Sequence, residues 1–289
     1  MEEKVDKRLI WAILFSVFLN VFVWAAVFAA AGKTETEIYF LDVGQGDGEL
    51  VVFPSGAKML IDGGPDGRIV SRLGEILPAA DRRIDVLALT HPQLDHYAGF
   101  IEVAKRYEIG AFIYNGRLSG DAPFRELLDV LKKKGIPMVI LGGGDKIKVG
   151  AAVFSVLSPS GEFLKSAELN DTTLVMALTE GAFKVLFTGD IGFNVEEYLA
   201  EKYDVKTDVL KVAHHGSRYS SGGKFLAEAR PKLAVVEVGR NSYGHPTEDA
   251  LDRLEKAGAK IYRTDRDGTI RVIVGKDGVL RIAVTGKSK

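Results

Sequence analysis

Five histidines occur in this chain of 289 residues: His91, His96, His214, His215 and His245. Each follows an apolar run or sits in a turn, and the first two share the stretch THPQLDHYAG, residues 90–99. Carboxylates stand in the same setting: Asp62 closing MLIDGG, Asp95, Asp171 in NDTT, and Asp190 closing VLFTGD. Taken singly, a histidine is usually a bystander and a turn aspartate a cap. Jointly they suggest more, because strands ending in Gly- or Pro-containing turns deliver their last side chains to one sheet edge on rigid supports. Imidazole with carboxylate suits Zn²⁺, Mn²⁺ or Fe, and an aspartate between two ions can bridge them. Such an ion lowers the pKa of its water from about 15.7 towards about 7, and a pair ~3.5–4 Å apart can neutralise the oxygens of a phosphodiester.

Competing chemistries are poorly supplied. No cysteine is present, which excludes thiolate ligands, disulfides and a cysteine nucleophile. GQGDG lacks the lysine and strand-to-helix setting of a phosphate loop and reads as a tight turn or site-lining loop, while LGGGD reads as a hairpin-like connection. No Gly-x-Ser-x-Gly elbow presents a serine.

The elements that must position these residues begin with three strands in quick succession, EIYFLDV, ELVVFP and KMLIDG, linked by GQGDG and PSGA. Helical periodicity follows at about 68–77, 97–106, 122–134, 195–202, 223–229 and 248–257, with β-rich runs between. These strands are too many for one doubly wound sheet. The expected fold is α/β, two sheets face to face with helices outside, a four-layer αββα sandwich. Its length and apolar content allow a sizeable core, and two glutamines and five asparagines against many charged residues resemble thermophile usage.

Residues 9–32, LIWAILFSVFLNVFVWAAVFAAAG, carry no charge. As a helix they would span ~36 Å, more than the ~30 Å hydrocarbon core and longer than a signal peptide's apolar region. The expectation is a single-pass anchor in the cell membrane, with residues 1–8 a short cytoplasmic N-terminus bearing Lys4, Lys7 and Arg8, and 33–289 an extracellular hydrolase domain. Secretion after signal cleavage is the alternative.

The motifs FLDVGQGDGELVV, MLIDGGP, LTHPQLDHYAGF, NDTTLVMAL, VLFTGDI, DVLKVAHHGSRYSS and NSYGHPTEDAL, in that order over about 37–284, resemble the metallo-β-lactamase superfamily, and within it the ComEC-like extracellular hydrolase domain of DNA-uptake proteins. The resemblance implies one or two divalent ions, Zn or Mn, with His91, Asp95 and His96 as the histidine-rich metal motif, Asp190 as the bridge and Asp62 as its support. His214 is assigned as the late ligand and His215 to a supporting place, since neighbours on an extended chain point to opposite sides. Gln93 stands where the superfamily motif often has histidine, and an amide is a poor transition-metal ligand, so one subsite should be weaker. That subsite would comprise His91, Asp171 and Asp190, with Gln93 or Asn170 orienting water or ligand; the other would use Asp95, His96, Asp190 and His214. Asp95 and His245 are the candidates for a direct part in catalysis, His245 by protonating a leaving oxygen or bonding phosphate, and Ser217 either contacts phosphate or caps a turn.

The function expected is a metal-dependent extracellular phosphodiesterase or nuclease. Alternatives are hydrolysis of a small ester, a lactam or a cell-envelope phosphodiester, and a non-catalytic binding module with a degenerate metal site. Arg218, Lys224, Arg230, Lys232 and Arg240 favour a nucleic-acid partner, whereas a net charge of −1 gives no general nucleic-acid footprint. A single anchor cannot translocate DNA, so a role in uptake requires separate translocation partners.

Overall fold

The computed structural model describes residues 7–30, 35–275 and 279–286. After helix α1 (Lys7–Ala30), the first half of the chain contains β1 (Thr36–Phe40), β2 (Glu49–Val52), β3 (Lys58–Ile61), α2 (Arg68–Ile76), β4 (Arg83–Ala88), α3 (Leu94–Arg106), β5 (Glu108–Tyr114), α4 (Ala122–Lys133) and β6 (Met138–Ile140). The second half contains β7 (Lys146–Val149), β8 (Ala152–Ser158), β9 (Val175–Glu180), β10 (Phe183–Phe187), α5 (Phe193–Lys202), β11 (Val209–Lys211), α6 (Gly223–Ala229), β12 (Leu233–Val236), α7 (Glu248–Lys256), β13 (Lys260–Arg263), α8 (Thr264–Asp267), β14 (Ile270–Val274) and β15 (Leu280–Val284).

The strands form two mixed sheets, one ordered β15-β14-β1-β2-β3-β4-β5-β6 and the other β13-β12-β11-β10-β9-β8-β7. β3 through β6 are parallel, as are β10 through β13. A parallel step needs a crossover, and each of these six carries one helix, α2 to α4 in the first sheet and α5 to α7 in the second. The strands alternate between two cores with the period of two expected of β structure. Ile38, Phe40, Phe154, Val185 and Phe187 meet between the sheets. Tyr39, Leu50, Leu60, Phe100 and Leu127 pack under the helices of the first sheet, and Leu186, Leu199, Leu210, Phe225 and Leu254 under those of the second. The αββα layering expected from the strand count is therefore the observed fold.

Two expectations are corrected. LGGGD does not close a hairpin, because β6 and β7 lie in different sheets and the segment crosses between them. Nor is the single-pass anchor supported: among the described residues, no helix is long and apolar enough to cross a membrane. The localisation built on that anchor is set aside.

Candidate metal centre

The site lies where the carboxyl ends of β3, β4, β10 and β11 converge. Asp62 follows β3, Thr90 and His91 follow β4, Asp95 and His96 occupy the first turn of α3, Asp190 follows β10, and His214 and His215 follow β11. α3 is drawn onto the turn after β3, where Gly63 N–H donates to His96 O at 2.6 Å and Gly99 N–H to Gly64 O at 3.0 Å. A Cβ on Gly99 would stand 1.9 Å from Gly63 O, so only glycine permits this approach.

Asp95, His96, Asp190 and His215 each offer a ligand atom, all within 4.8 Å of one another. His96 Nε2 lies 3.3 Å and His215 Nε2 3.4 Å from Asp190 Oδ2, and His215 Nε2 is also 3.4 Å from Asp95 Oδ2. The His91 ring adjoins, 4.2 Å from that of His96 between centroids.

Each of these three imidazoles has its Nδ1 engaged. His96 Nδ1 lies 2.7 Å from Asp62 Oδ2, His215 Nδ1 2.9 Å from Glu237 O, and His91 Nδ1 3.0 Å from Thr90 Oγ1. The Thr90 hydroxyl donates to Asp62 Oδ2 at 2.6 Å, leaving its lone pair to accept from His91 Nδ1–H. Asp62 therefore orients His96 directly and His91 through Thr90. The Nε2 atoms of His91, His96 and His215 and Oδ1 of Asp190 are buried without hydrogen-bond partners. Buried polar atoms are ordinarily satisfied, and imidazoles fixed through one nitrogen with the other left free are the arrangement of metal ligands. The donor set fits a divalent transition metal.

Electrostatics agree. Burial would lower His96 and His215, but the surrounding carboxylates together outweigh it, Asp190 foremost, with Asp62 and Asp95 at His96 and Asp47 at His215, and both stand well above the ordinary histidine range. Burial would raise Asp95, yet the nearby imidazoles hold it down at about 2. Burial and the neighbouring His96 push His91 down to about 3. A cation would neutralise this excess of carboxylate.

The tight group takes in His215, expected in a supporting place, and leaves out His214, expected as its late ligand. His214 Nε2 stands 3.9 Å from Asp190 Oδ2, outside the tight group that His215 joins. The alternation argument fails because neither residue is extended: both are left-handed, with φ of 49° and 53°. Asp171 turns away from the centre and accepts from Ser166 Oγ and Asn194 Nδ2, both at 2.7 Å. Its neighbour Asn170 faces the site, taking a hydrogen bond from Gln93 Nε2 at 2.7 Å and placing Nδ2 3.4 Å from His214 Nδ1. Ser217 Oγ accepts from Tyr219 N–H at 3.3 Å, as a turn-capping hydroxyl does. His245 borders the cleft with its ring 5.5 Å from that of His214. Burial, then repulsion from His214 and His215, lowers it to about 4, so it is neutral at pH 7 and offers an N–H rather than a labile proton.

Sequence reasoning missed Asp47 and Lys211. Both are fully buried and form an ion pair, with Lys211 Nζ also 3.0 Å from Gly189 O and 3.7 Å from Asp190 Oδ1. The available signal was a lysine inside the apolar strand VLKVA. Among the basic residues expected to face nucleic acid, Lys224 pairs with Glu201 and Lys232 with Asp208, whereas Arg218 and Arg240 are exposed.

An open cleft of about 330 Å³ gives access, walled by Gln45, Leu94, Asn170, Tyr243 and His245 over Asp95, Asp190 and His215. Two facing sheets with a His/Asp centre at their convergent ends define a metallo-hydrolase fold, and the metallo-beta-lactamase superfamily profile matches residues 43–240: the chain belongs to that superfamily. Its domain is of the ComEC-like kind. It is 29% identical over 258 residues to ComE operon protein 3 of Bacillus subtilis (strain 168), covering 83% of this chain and 33% of that protein. It is 32% identical over 254 residues to competence protein ComA of Neisseria gonorrhoeae, covering 86% of this chain and 34% of that one. The chain thus spans about a third of the length of these relatives. Among solved structures, the metallo-beta-lactamase fold protein YhfI from Bacillus subtilis superposes with a TM-score of 0.54 at 13% identity, over 86% of this chain and all of that one, a likeness of fold alone.

Proposed function

We propose that residues 33–289 form a hydrolase domain that cleaves phosphodiester bonds of nucleic acid with one or two divalent ions, Zn or Mn. The observation that carries this reading is the set of three buried imidazole Nε2 atoms, of His91, His96 and His215, left without partners around Asp190. Asp95, His96, Asp190 and His215 would hold the tighter ion, and His91 and His214 would share Asp190 with a weaker one. Such an ion supplies Lewis acidity at a phosphoryl oxygen and renders an attacking water more acidic. Asp95 stays ionised and accepts a hydrogen bond from that water. Gln93 and Asn170, locked amide to amide, orient the phosphate, and His245 donates its N–H to the leaving oxygen. A decayed binding module would not be expected to keep so many unpaired donors in one place.

The competence relatives support nucleic acid as the substrate class and a role in DNA uptake beside separate translocation partners. The test is hydrolysis by the full chain, with Mn²⁺ or Zn²⁺, of single- and double-stranded DNA, RNA, a chromogenic phosphodiester, a small ester and a lactam. Phosphodiester cleavage lost in Asp190→Ala is expected; cleavage of the ester or lactam alone would replace this reading.

A further inference from the structure

Tyr243 borders the cleft with 72% of its surface exposed. Its loop is rigid, because all four hydrogen-bonding positions of the Asn241 amide are spent on it. Oδ1 accepts from Tyr243 N–H (3.0 Å) and His245 N–H (3.1 Å), and Nδ2 donates to Gly239 O (2.9 Å) and His245 O (2.8 Å). The chain thus fixes an aromatic ring in water, where its apolar face gains nothing by folding. The ring leans on His245 at 5.8 Å and 31°, and His245 in turn stands 5.5 Å from His214. The exposed ring is thus linked to the metal centre by two successive ring contacts, through His245 to His214. Leu94, half exposed beside Asp95, gives the same cleft a second apolar surface, and the amides of Gln45, Gln93 and Asn170 supply donors and acceptors. Exposed Arg218, whose charge reaches His245, adds the cation that a phosphate requires.

We propose that Tyr243 is a specificity-determining residue that stacks an unpaired nucleobase at the mouth of the cleft, so that single strands and frayed ends are bound in preference to paired duplex. The inference deepens the phosphodiesterase reading and rests on it for where the phosphate lies. A free base has a face to offer the ring, whereas inside a duplex that face is covered by the next base pair. Stacking on an aromatic side chain tolerates any base, so the preference is for strandedness rather than sequence.

The test is binding of a short phosphorothioate-linked single strand carrying one 2-aminopurine, followed by its fluorescence, with an abasic strand and a duplex for comparison. Wild type and Tyr243→Phe are expected to bind the strand and quench the fluorophore. In Tyr243→Ala, binding should weaken about 5- to 100-fold, the range that base stacking is worth, with loss of quenching and of the preference over the abasic strand. Wild-type affinity and quenching in Tyr243→Ala, an equal defect in Tyr243→Phe, or no binding by wild type would each overturn the proposal. Hydrolysis is scored separately: binding with quenching but no cleavage of any phosphodiester would remove the proposed activity and leave the stacking role standing.

Discussion

Asp62 and His96 are joined inside the protein by a 2.7 Å hydrogen bond between Oδ2 and Nδ1, with both side chains fully buried. With an ion bound, the bond would keep the ring hydrogen on Nδ1 and leave Nε2, which points at Asp190, as the ligand atom. It also explains why Asp62 accepts a left-handed backbone, with φ of 51°: the turn aims its carboxylate back across Thr90 towards α3.

Replacing Asp62 with Asn tests that role with little change of shape, since Asn tolerates the left-handed region. The amide lacks the charge that holds the imidazole, and its NH₂ competes for the same position. Asp62→Asn should weaken binding of the first divalent ion about 10- to 100-fold, the usual effect of losing a ligand's supporting partner. Competition titration against a chelator measures it, and an unchanged affinity would show that Asp62 serves only the fold.

Lys211 and Asp47 call for a stability measurement. The ammonium is held between Asp47 and Gly189 O with Asp190 nearby, all beyond the reach of water. Lys211→Met would strand the Asp47 charge, at about 3–5 kcal/mol for breaking a buried pair. Replacing both partners with apolar residues should recover much of the loss, as read by urea denaturation. A single variant within about 1 kcal/mol of wild type would mean that the pair does not hold the sheets' ends together.

The histories of these residues show what the sequence could reveal. The layers were legible because β1 to β3 follow one another with only turns between them, whereas each later parallel strand is separated from the next by one helix. Asp62, His91, Asp95, His96 and Asp190 stood out because strand ends converge in such a sandwich. Asp47 and Lys211 did not, since one reads as a turn residue and the other as a strand-end cation, and their contact joins the two sheets. The order of His214 and His215 was hidden for a local reason: two successive non-glycine residues with positive φ are rare, so extended alternation was the default expectation. For Asn170 and Asp171 the outcome turned on which side chain a short helical turn aims inward.

Glu196 provides a pH dependence remote from the metal. On α5 it accepts the N–H groups of Ser221 and Gly222, in the loop that follows His215, while Arg253 on α7 donates to Ser220 O and Ser221 O at 2.8 Å each. Burial raises the carboxyl from 4.5 to about 7 against the pull of those N–H groups and of Arg253. The folded state then binds more protons than the unfolded between these values, so this stabilisation is full below 4.5 and lost as pH rises through about 7. The contribution is at most ~3 kcal/mol. Denaturation of wild type and Glu196→Gln across this range should give a steeper decline in wild type, and parallel curves would refute the assignment.

Gln93 sits where an imidazole would complete the second subsite, and the structure gives its amide other work. Nε2 is committed to Asn170 Oδ1, and Asn170 reaches on to His214, so an amide pair occupies the space between His91 and His214. An amide oxygen competes poorly for a transition ion, whereas the tight group offers two imidazoles and two carboxylates. One ion per chain is therefore expected at low metal concentration and a second only at higher. His215→Ala and Asp190→Ala should lose the first ion, while His214→Ala should keep it and lose the second. Gln93→His should bring the second ion in at lower concentration and lower the metal needed for half-maximal phosphodiester cleavage. Equilibrium dialysis with Mn²⁺, scored beside activity, separates the cases. Loss of the first ion from His214→Ala but not from His215→Ala would reverse the ligand assignment, and unchanged occupancies in Gln93→His would show that the amide pair does not limit the second ion.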